Sequence, residues 1–187
     1  NRNIHAIYAM YAGEVKSFGY QLGLRGEYTY RYMELLSTGE SFTLDRMDYF
    51  PTIHLSYNLP KDNMLMASYA RRIDRPRGWY LEPFITVQDA YNLRQGNPEL
   101  LPEYIDSYEL NYQKRFKKDF ISFETYYRVT HNKIERVSSV YEENILLHTY
   151  ENVGEDYALG GELMIGVDIF KWWHADIMGN LYYYQVK

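Results

Sequence analysis

Hydrophobic and polar residues alternate along much of this chain with a period of two. Residues 18–30, FGYQLGLRGEYTY, show the pattern most clearly, with Phe18, Leu22 and Tyr28 on one parity and Thr29 on the other. Successive side chains of a β-strand point to opposite faces of a sheet. The segment is therefore predicted to be a strand with one aromatic, apolar face and one polar face.

The same alternation recurs in eight segments, most of them about ten residues long or longer, which is enough for a tilted strand to cross a bilayer. No helical periodicity of any length separates them. The sequence thus predicts an all-β fold, an antiparallel up-and-down meander of about eight strands that forms part of a transmembrane β-barrel. The predicted strands are residues 4–12, 17–32, 48–59, 64–73, 104–116, 120–130, 157–169 and 173–183.

The connections between these strands alternate between short and long. Short turns are predicted near residues 13–16, 60–63, 117–119 and 170–171, and the other connections span about 15 to 30 residues. Transmembrane barrels have short turns at one end and long loops at the other. A soluble Greek-key sandwich would not be expected to sort its connections in this way.

Composition limits the alternatives. The chain has 187 residues, of which 22 are Tyr, and a ring with a polar tip suits a boundary between apolar and aqueous surroundings. The net charge of -5, without a basic stripe, argues against nucleic acid as a partner. There is no run of about 18 apolar residues that would predict a transmembrane helix. The alternative fold is an aromatic-rich soluble β-sandwich.

Catalytic and metal-binding motifs are missing from the sequence. It contains no nucleophile elbow, phosphate-binding loop or dinucleotide fingerprint, and its five His residues lack metal-ligand spacing. The carboxylates between residues 99–103 and 142–156 match no calcium loop, and a solvated loop surface explains them more simply. We therefore predict that the protein is not an enzyme and has no catalytic residue, metal site or cofactor.

The longest predicted loop, residues 74–103, holds the candidate ligand contacts. Arg75 and Arg77 lie beside Trp79 and Tyr80. Guanidinium groups and aromatic rings together hold anionic, flat or sugar ligands. The alternative is that these four side chains fasten the loop inside the barrel through hydrogen bonds and ion pairs.

Several motifs in and after this loop resemble the C-terminal barrel of TonB-dependent outer-membrane receptors, within the outer membrane protein β-barrel family. Two positions depart from the family pattern, Glu82 where an Asn is common and Leu101 where a Lys is common. The motifs that carry the resemblance are Arg71-Arg72-Ile73 with Arg75-Pro76, Leu81 with Pro83-Phe84, Gly96-Asn97-Pro98, Leu100, Pro102-Glu103, Ser107-Tyr108-Glu109-Leu110, Asn152-Val153-Gly154, Gly161-Glu162-Leu163 and Trp172-Trp173.

The resemblance implies that residues 1–187 are a single segment of an incomplete barrel, because such receptors close about 22 strands around an N-terminal plug that this segment lacks. It implies a bacterial outer-membrane receptor that takes up a scarce nutrient, such as a metal chelate, a glycan or a peptide. The implied partners are outer-membrane lipid, the small nutrient ligand and TonB, which would act through the missing N-terminal region.

The polar parity of the strands is expected to face the lumen of that barrel. Two other functions stay open: a soluble β-rich binding or adhesion module, and an outer-membrane barrel that is not coupled to TonB. The isolated segment, with two open sheet edges, is expected to associate with itself or to close into a smaller barrel. The predicted lumen-facing residues are Gln21, Arg25, Glu27, His54, Ser56 and Glu109.

Overall fold

Strands dominate the computed structural model, which describes residues 1–36 and 38–187. A single turn of 3-10 helix lies at Gly78–Tyr80, and no helix in the described residues is long and apolar enough to span a membrane. The strands are β1 (Arg2–Val15), β2 (Phe18–Leu35), β3 (Glu40–Leu59), β4 (Asn63–Asp74), β5 (Thr86–Val87), β6 (Asn92–Arg94), β7 (Glu103–Phe116), β8 (Asp119–His131), β9 (Ile134–Glu142), β10 (Ile145–Asn152), β11 (Glu155–Phe170) and β12 (Trp173–Val186).

Eight long strands form one antiparallel sheet in the order β1-β2-β3-β4-β7-β8-β11-β12. Each of them pairs with the next long strand along the chain, so the predicted all-β meander of eight strands is confirmed. β1 and β12 form the two edges and do not pair with each other within the described residues. Closure into a smaller barrel is therefore not seen, and self-association of the segment stays a prediction.

The connection between β2 and β3, at one end of the sheet, is shorter than predicted. Residues 33–47 were expected to belong to a long loop, but β2 continues to Leu35 and β3 begins at Glu40, with the two strands paired throughout. The charged residues Glu34, Asp45 and Arg46 disguise the alternation in this extension. The other two connections at this end, residues 75–102 and 132–154, are long as predicted.

A second, smaller sheet is built from these two long loops. Its order is β5-β6-β10-β9, and β6 pairs with β10 in parallel, with Asn92 opposite Leu146 and Arg94 opposite His148. This sheet was not predicted, because β5 and β6 are too short to show alternation. We call residues 75–102 and 132–154 together the cap.

The two faces of the long sheet differ as the alternation predicts. The face that contains Gln21, His54 and Glu109 is called the inner face because it lines a cavity, and the opposite face is called the outer face. Outer-face side chains such as Leu163 and Ile177 are apolar and exposed, with exposed fractions of 41% and 60%. An exposed apolar surface of this extent is typical of a strand surface that meets lipid.

Burial concentrates at the end of the sheet that carries the cap. Leu81, Leu100 and Tyr150 form the buried hydrophobic cluster, and they belong to the cap rather than to the long strands. Near the cap the alternation no longer separates buried from exposed residues. Tyr104 and Asp106 of β7 are buried, although they share a parity with the exposed Tyr108.

We expect Leu163→Arg to prevent stable assembly in the membrane. A charged side chain on the lipid side of a barrel costs about 2 to 4 kcal/mol at the bilayer midplane. Met164→Arg is the matched control, because Met164 pairs with Ser122 and Met178 on the inner face. The amount of folded full-length protein in outer-membrane fractions, measured by heat-modifiable mobility, should fall for L163R only. Equal amounts of the two variants would contradict the assignment of the faces.

Candidate ligand-binding site

An open cavity of about 750 Å³ lies against the inner face of the sheet. Four of the six residues predicted to face the lumen line it: Gln21, His54, Ser56 and Glu109. They come from three different strands, β2, β3 and β7, and are brought together by the register of the sheet. His54 lies opposite Gln21 on one side and opposite Ser68 on the other, so the polar parity runs without interruption across neighbouring strands.

Hydrogen bonds fix the polar side chains of this wall. Glu109 accepts hydrogen bonds from the hydroxyls of Ser68 at 2.9 Å and Ser107 at 3.3 Å. Asn111 Nδ2 donates to Ser122 Oγ at 3.1 Å and to Glu124 Oε2 at 3.2 Å. These bonds, most of which join neighbouring strands, hold the wall in one arrangement and leave carboxylate charge facing the cavity.

The cavity is electronegative. Its lining contains Glu14, Glu109 and Glu124 but no Lys or Arg in the part of the chain that the structure describes. A cleft with one sign of charge raises the local concentration of solutes of the opposite sign. The wall therefore favours cationic and neutral solutes over anions. Within residues 1–36 and 38–187 there is no group of three or more acidic or His side chains that could hold a metal ion.

Arg25 and Glu27, the other two predicted lumen residues, lie nearer the cap and are paired. Arg25 Nε is 3.0 Å from Glu27 Oε1, and Arg75 Nη2 of the cap is 2.5 Å from Glu27 Oε2. Arg75 Nη2 also donates to Thr29 Oγ1 at 3.3 Å. Glu27 is only 7% exposed, so this contact fastens the first long loop to β2.

Trp79 and Tyr80 are packed into the centre of the cap. The rings of Tyr80 and Tyr150 stack with centroids 4.0 Å apart, and Trp79 meets Tyr150 edge-on at 5.4 Å. The guanidinium of Arg94 lies 5.0 Å from the centroid of the Trp79 ring. Burial, followed by the neighbouring phenol of Tyr80, raises the pKa of Tyr150. These rings join the first long loop to the second.

Arg77 differs from its three candidate neighbours because it is exposed. Its guanidinium makes no hydrogen bond or ion pair with any residue that the structure describes. The structure thus separates the four predicted ligand contacts into one free side chain, Arg77, and three that are engaged in packing or pairing.

Two asparagines of the recognised motifs join the long loops through backbone groups. Asn97 Nδ2 donates to the carbonyl of Tyr150 at 3.2 Å, and Asn152 Oδ1 accepts from the backbone N–H of Leu101 at 2.9 Å. Asn152 Nδ2 also donates to the carbonyls of Leu101 at 3.1 Å and Asn132 at 2.7 Å. The spacing of residues in the sequence does not by itself identify the side chains of Asn97 and Asn152 as joining the loops, although both residues belong to the family motifs.

The two departures from the family pattern are accommodated without loss of these bonds. Glu82 Oε2 lies 3.3 Å from Arg94 Nη2, and the Glu82 carbonyl accepts the backbone N–H of Gly96 at 2.8 Å. Leu101 takes part through its backbone, so the identity of its side chain does not matter to the bonds with Asn152.

Lys133 anchors the second loop to the sheet. Its Nζ lies 3.4 Å from Glu103 Oε1 and 3.7 Å from Asp156 Oδ2. Burial alone would lower the pKa of Lys133, but the two carboxylates outweigh burial and raise it. The loop is therefore held at its base by charge and at its centre by aromatic packing.

We expect Gly96→Ala to loosen the cap while leaving the long sheet folded. A Cβ at residue 96 would lie 2.6 Å from the carbonyl oxygen of Tyr80 and from the backbone nitrogen of Glu82. Overpacking of this kind costs about 1 to 3 kcal/mol. Gly78→Ala is the matched control, since a Cβ there meets nothing within 4 Å. Hydrogen exchange of residues 75–102 in the full-length protein should accelerate for G96A only, and unchanged exchange would contradict this packing.

The fold is similar to those of a solved transporter and of solved receptors. The copper transporter OprC aligns with a TM-score of 0.74 at 14% identity, over 98% of this chain and 30% of that one. A double mutant of the Serratia marcescens hemophore receptor HasR, in complex with its hemophore HasA and heme, gives 0.75 at 16% identity over 96% and 33%. A mutant of the Pseudomonas aeruginosa ferric enterobactin receptor PfeA, in complex with enterobactin, gives 0.74 at 18% identity over 96% and 27%.

These likenesses concern the fold, and the chain spans about a third or less of the length of each of the three proteins. No curated protein matches the sequence. The profile of the family described as "Outer membrane protein beta-barrel family" matches residues 1–187, the same strands whose apolar outer face and polar inner face are described above. This chain therefore belongs to the outer membrane protein β-barrel family and is a protein of the bacterial outer membrane.

Proposed function

We propose that the protein to which this chain belongs is a TonB-dependent receptor that takes up a scarce nutrient across the outer membrane. The observation that carries this proposal is the combination of a polar, hydrogen-bonded inner wall with an ordered cap at one end of the same sheet. A transporter needs a wet interior for the solute and an external surface to capture it. The likeness in fold to OprC, HasR and PfeA supports the proposal.

The electronegative wall narrows the class of nutrient. Glu14, Glu109 and Glu124 line the cavity without a basic residue in the described lining, so we propose that a cationic or neutral solute passes along this part of the wall. A cationic metal chelate, a neutral glycan and a basic peptide satisfy this condition. TonB would act through the N-terminal plug region of the parent protein, and no catalytic role is proposed.

A barrel of the outer membrane that works without TonB, in surface assembly or adhesion, is the second candidate. The membrane location excludes the soluble binding module considered from the sequence. The exposed apolar side chains of the cap, including Val87 and Val140, which are 70% and 76% exposed, are the observation that favours adhesion. The two candidate functions differ in whether they depend on energy supplied through TonB.

Growth on defined nutrient sources tests the proposed transport. The host strain without the full-length reading frame should lose growth on one source from a panel of iron chelates, heme, oligosaccharides and peptides, and plasmid-borne protein should restore it. In a strain that lacks TonB, the plasmid should not restore growth. Uptake that persists without TonB, or no growth defect on any source, would contradict the proposal and favour the second candidate.

Substitution of Arg77 is expected to weaken binding of the nutrient that this panel identifies, whereas substitution of Arg75 is expected to loosen the cap. Loss of a hydrogen bond to a charged group costs about 1.5 to 3 kcal/mol, so Arg77→Ala should weaken binding about tenfold or more. It should leave protease resistance of the cap unchanged, because Arg77 is exposed and its guanidinium makes no hydrogen bond or ion pair with a described residue. Arg75→Ala should increase protease sensitivity of the cap, because the ion pair that joins the first long loop to Glu27 of β2 is lost. An R77A variant with unaltered affinity would remove Arg77 from the site.

A further inference from the structure

A small cavity lined by four arginines lies between the inner face of β2 and β3 and the beginning of the first long loop. Its volume of about 20 Å³ is enough for roughly one water molecule. Four arginines and one aspartate give its lining a formal charge of +3. The charged lining residues are Arg2, Arg31, Arg46, Arg75 and Asp48.

The carboxylates near the cavity are already engaged by other groups. Asp48 Oδ1 lies 2.8 Å from Arg46 Nε and accepts the hydroxyl of Tyr104 at 2.7 Å. Glu27 binds Arg75 at 2.5 Å. Asp48 neutralises Arg46, and Glu27 pairs with both Arg75 and Arg25. The arginines of the lining that have no carboxylate partner in the described residues are therefore Arg2 and Arg31.

Arg2 and Arg31 lie directly opposite each other in the β1–β2 ladder. Like charges in directly opposed positions destabilise a sheet. Arg31 is 9% exposed, and its Nη2 donates to the carbonyl oxygens of Pro98 at 2.9 Å and Leu100 at 3.4 Å. Carbonyl oxygens satisfy hydrogen bonds but carry no net charge. In residues 1–36 and 38–187, no carboxylate lies within ion-pair distance of either guanidinium.

We propose that this cavity binds a small inorganic anion of the size of chloride. A buried guanidinium without a counter-charge is costly, and an anion between Arg31 and Arg2 removes both the desolvation penalty and the repulsion. A water molecule fills the space without neutralising the charge. Phosphate and sulfate, with five heavy atoms each, are larger than the single water molecule for which the space is sufficient. Size and charge together therefore favour a monatomic anion.

The bound anion stabilises the contact between β2 and the first long loop. Arg31 reaches from β2 to the loop carbonyls of Pro98 and Leu100, and Leu100 belongs to the buried cluster of the cap. Neutralising Arg31 therefore holds the cap on the sheet. This ion stays bound and is not transported, so its role is separate from the proposed uptake of a nutrient.

Limited proteolysis of the full-length protein in non-ionic detergent tests this proposal. Cleavage within residues 75–102 is followed in sodium chloride and in sodium gluconate of equal ionic strength, since gluconate is too large for the cavity. At about ten times its dissociation constant, chloride should reduce the opened fraction, and hence the cleavage rate, about elevenfold. Equal rates in the two salts would overturn the proposal.

Two variants and one control assign the effect to the site. Arg31→Gln should abolish the difference between chloride and gluconate, whereas Arg77→Gln, which changes an exposed arginine outside the cavity, should retain it. If Arg31→Gln does not fold, Arg2→Gln at the exposed start of β1 removes the second charge and should reduce the chloride effect. A chloride effect of the same size in Arg31→Gln or Arg2→Gln would overturn the proposal.

Crystals of the full-length protein grown in sodium bromide locate the ion. An anomalous scattering peak between the Arg31 and Arg2 guanidinium groups supports the site. A carboxylate from another part of the protein in that position, or a cavity without a bromide peak, would overturn it.

Discussion

Backbone polar groups away from water must find partners, and this constraint decides how two long loops become one ordered cap. The loops cannot complete a ladder on their own, because β5 and β6 have only two and three residues. Asn152 supplies the missing bonds to Leu101 and Asn132, and β10 completes the pairing of β6. Once these hydrogen bonds are made, the rings of Tyr80 and Tyr150 come together with Leu100 and exclude water from the hydrogen bonds.

The long sheet could be predicted from sequence because each face has a single solvent. Lipid on one side and water on the other leave a strict two-residue period, as in residues 18–30. The alternation is a poorer guide to burial where a face of the sheet is covered by protein instead of by lipid or water alone. Near the cap, residues on both parities of β7 are buried, Tyr104 and Asp106 on one and Glu103 and Ser107 on the other, so parity no longer indicates whether a side chain is exposed.

The cap could not be predicted from the alternation, because its contacts connect residues that are far apart in the chain. Nothing in the local sequence around Asn92 indicates that it pairs with Leu146. The residue types at Arg75, Trp79 and Tyr80 are compatible both with a ligand site and with a fastened loop. Only the positions of Glu27 and Tyr150 show what each side chain contacts. Gly96 likewise belongs to one of the family motifs, but the motif does not show that a Cβ at this position would lie 2.6 Å from the carbonyl oxygen of Tyr80.

The parallel pairing of β6 with β10 also has a consequence for the order of folding. These strands come from different hairpins, and ordering them requires that β4–β7 and β8–β11 are already paired, because only then are the loop ends held at a fixed spacing. Contacts of such sequence separation carry a large loop-closure entropy and form late. We therefore expect the cap to order last, after the long strands that hold the bases of its two loops have paired.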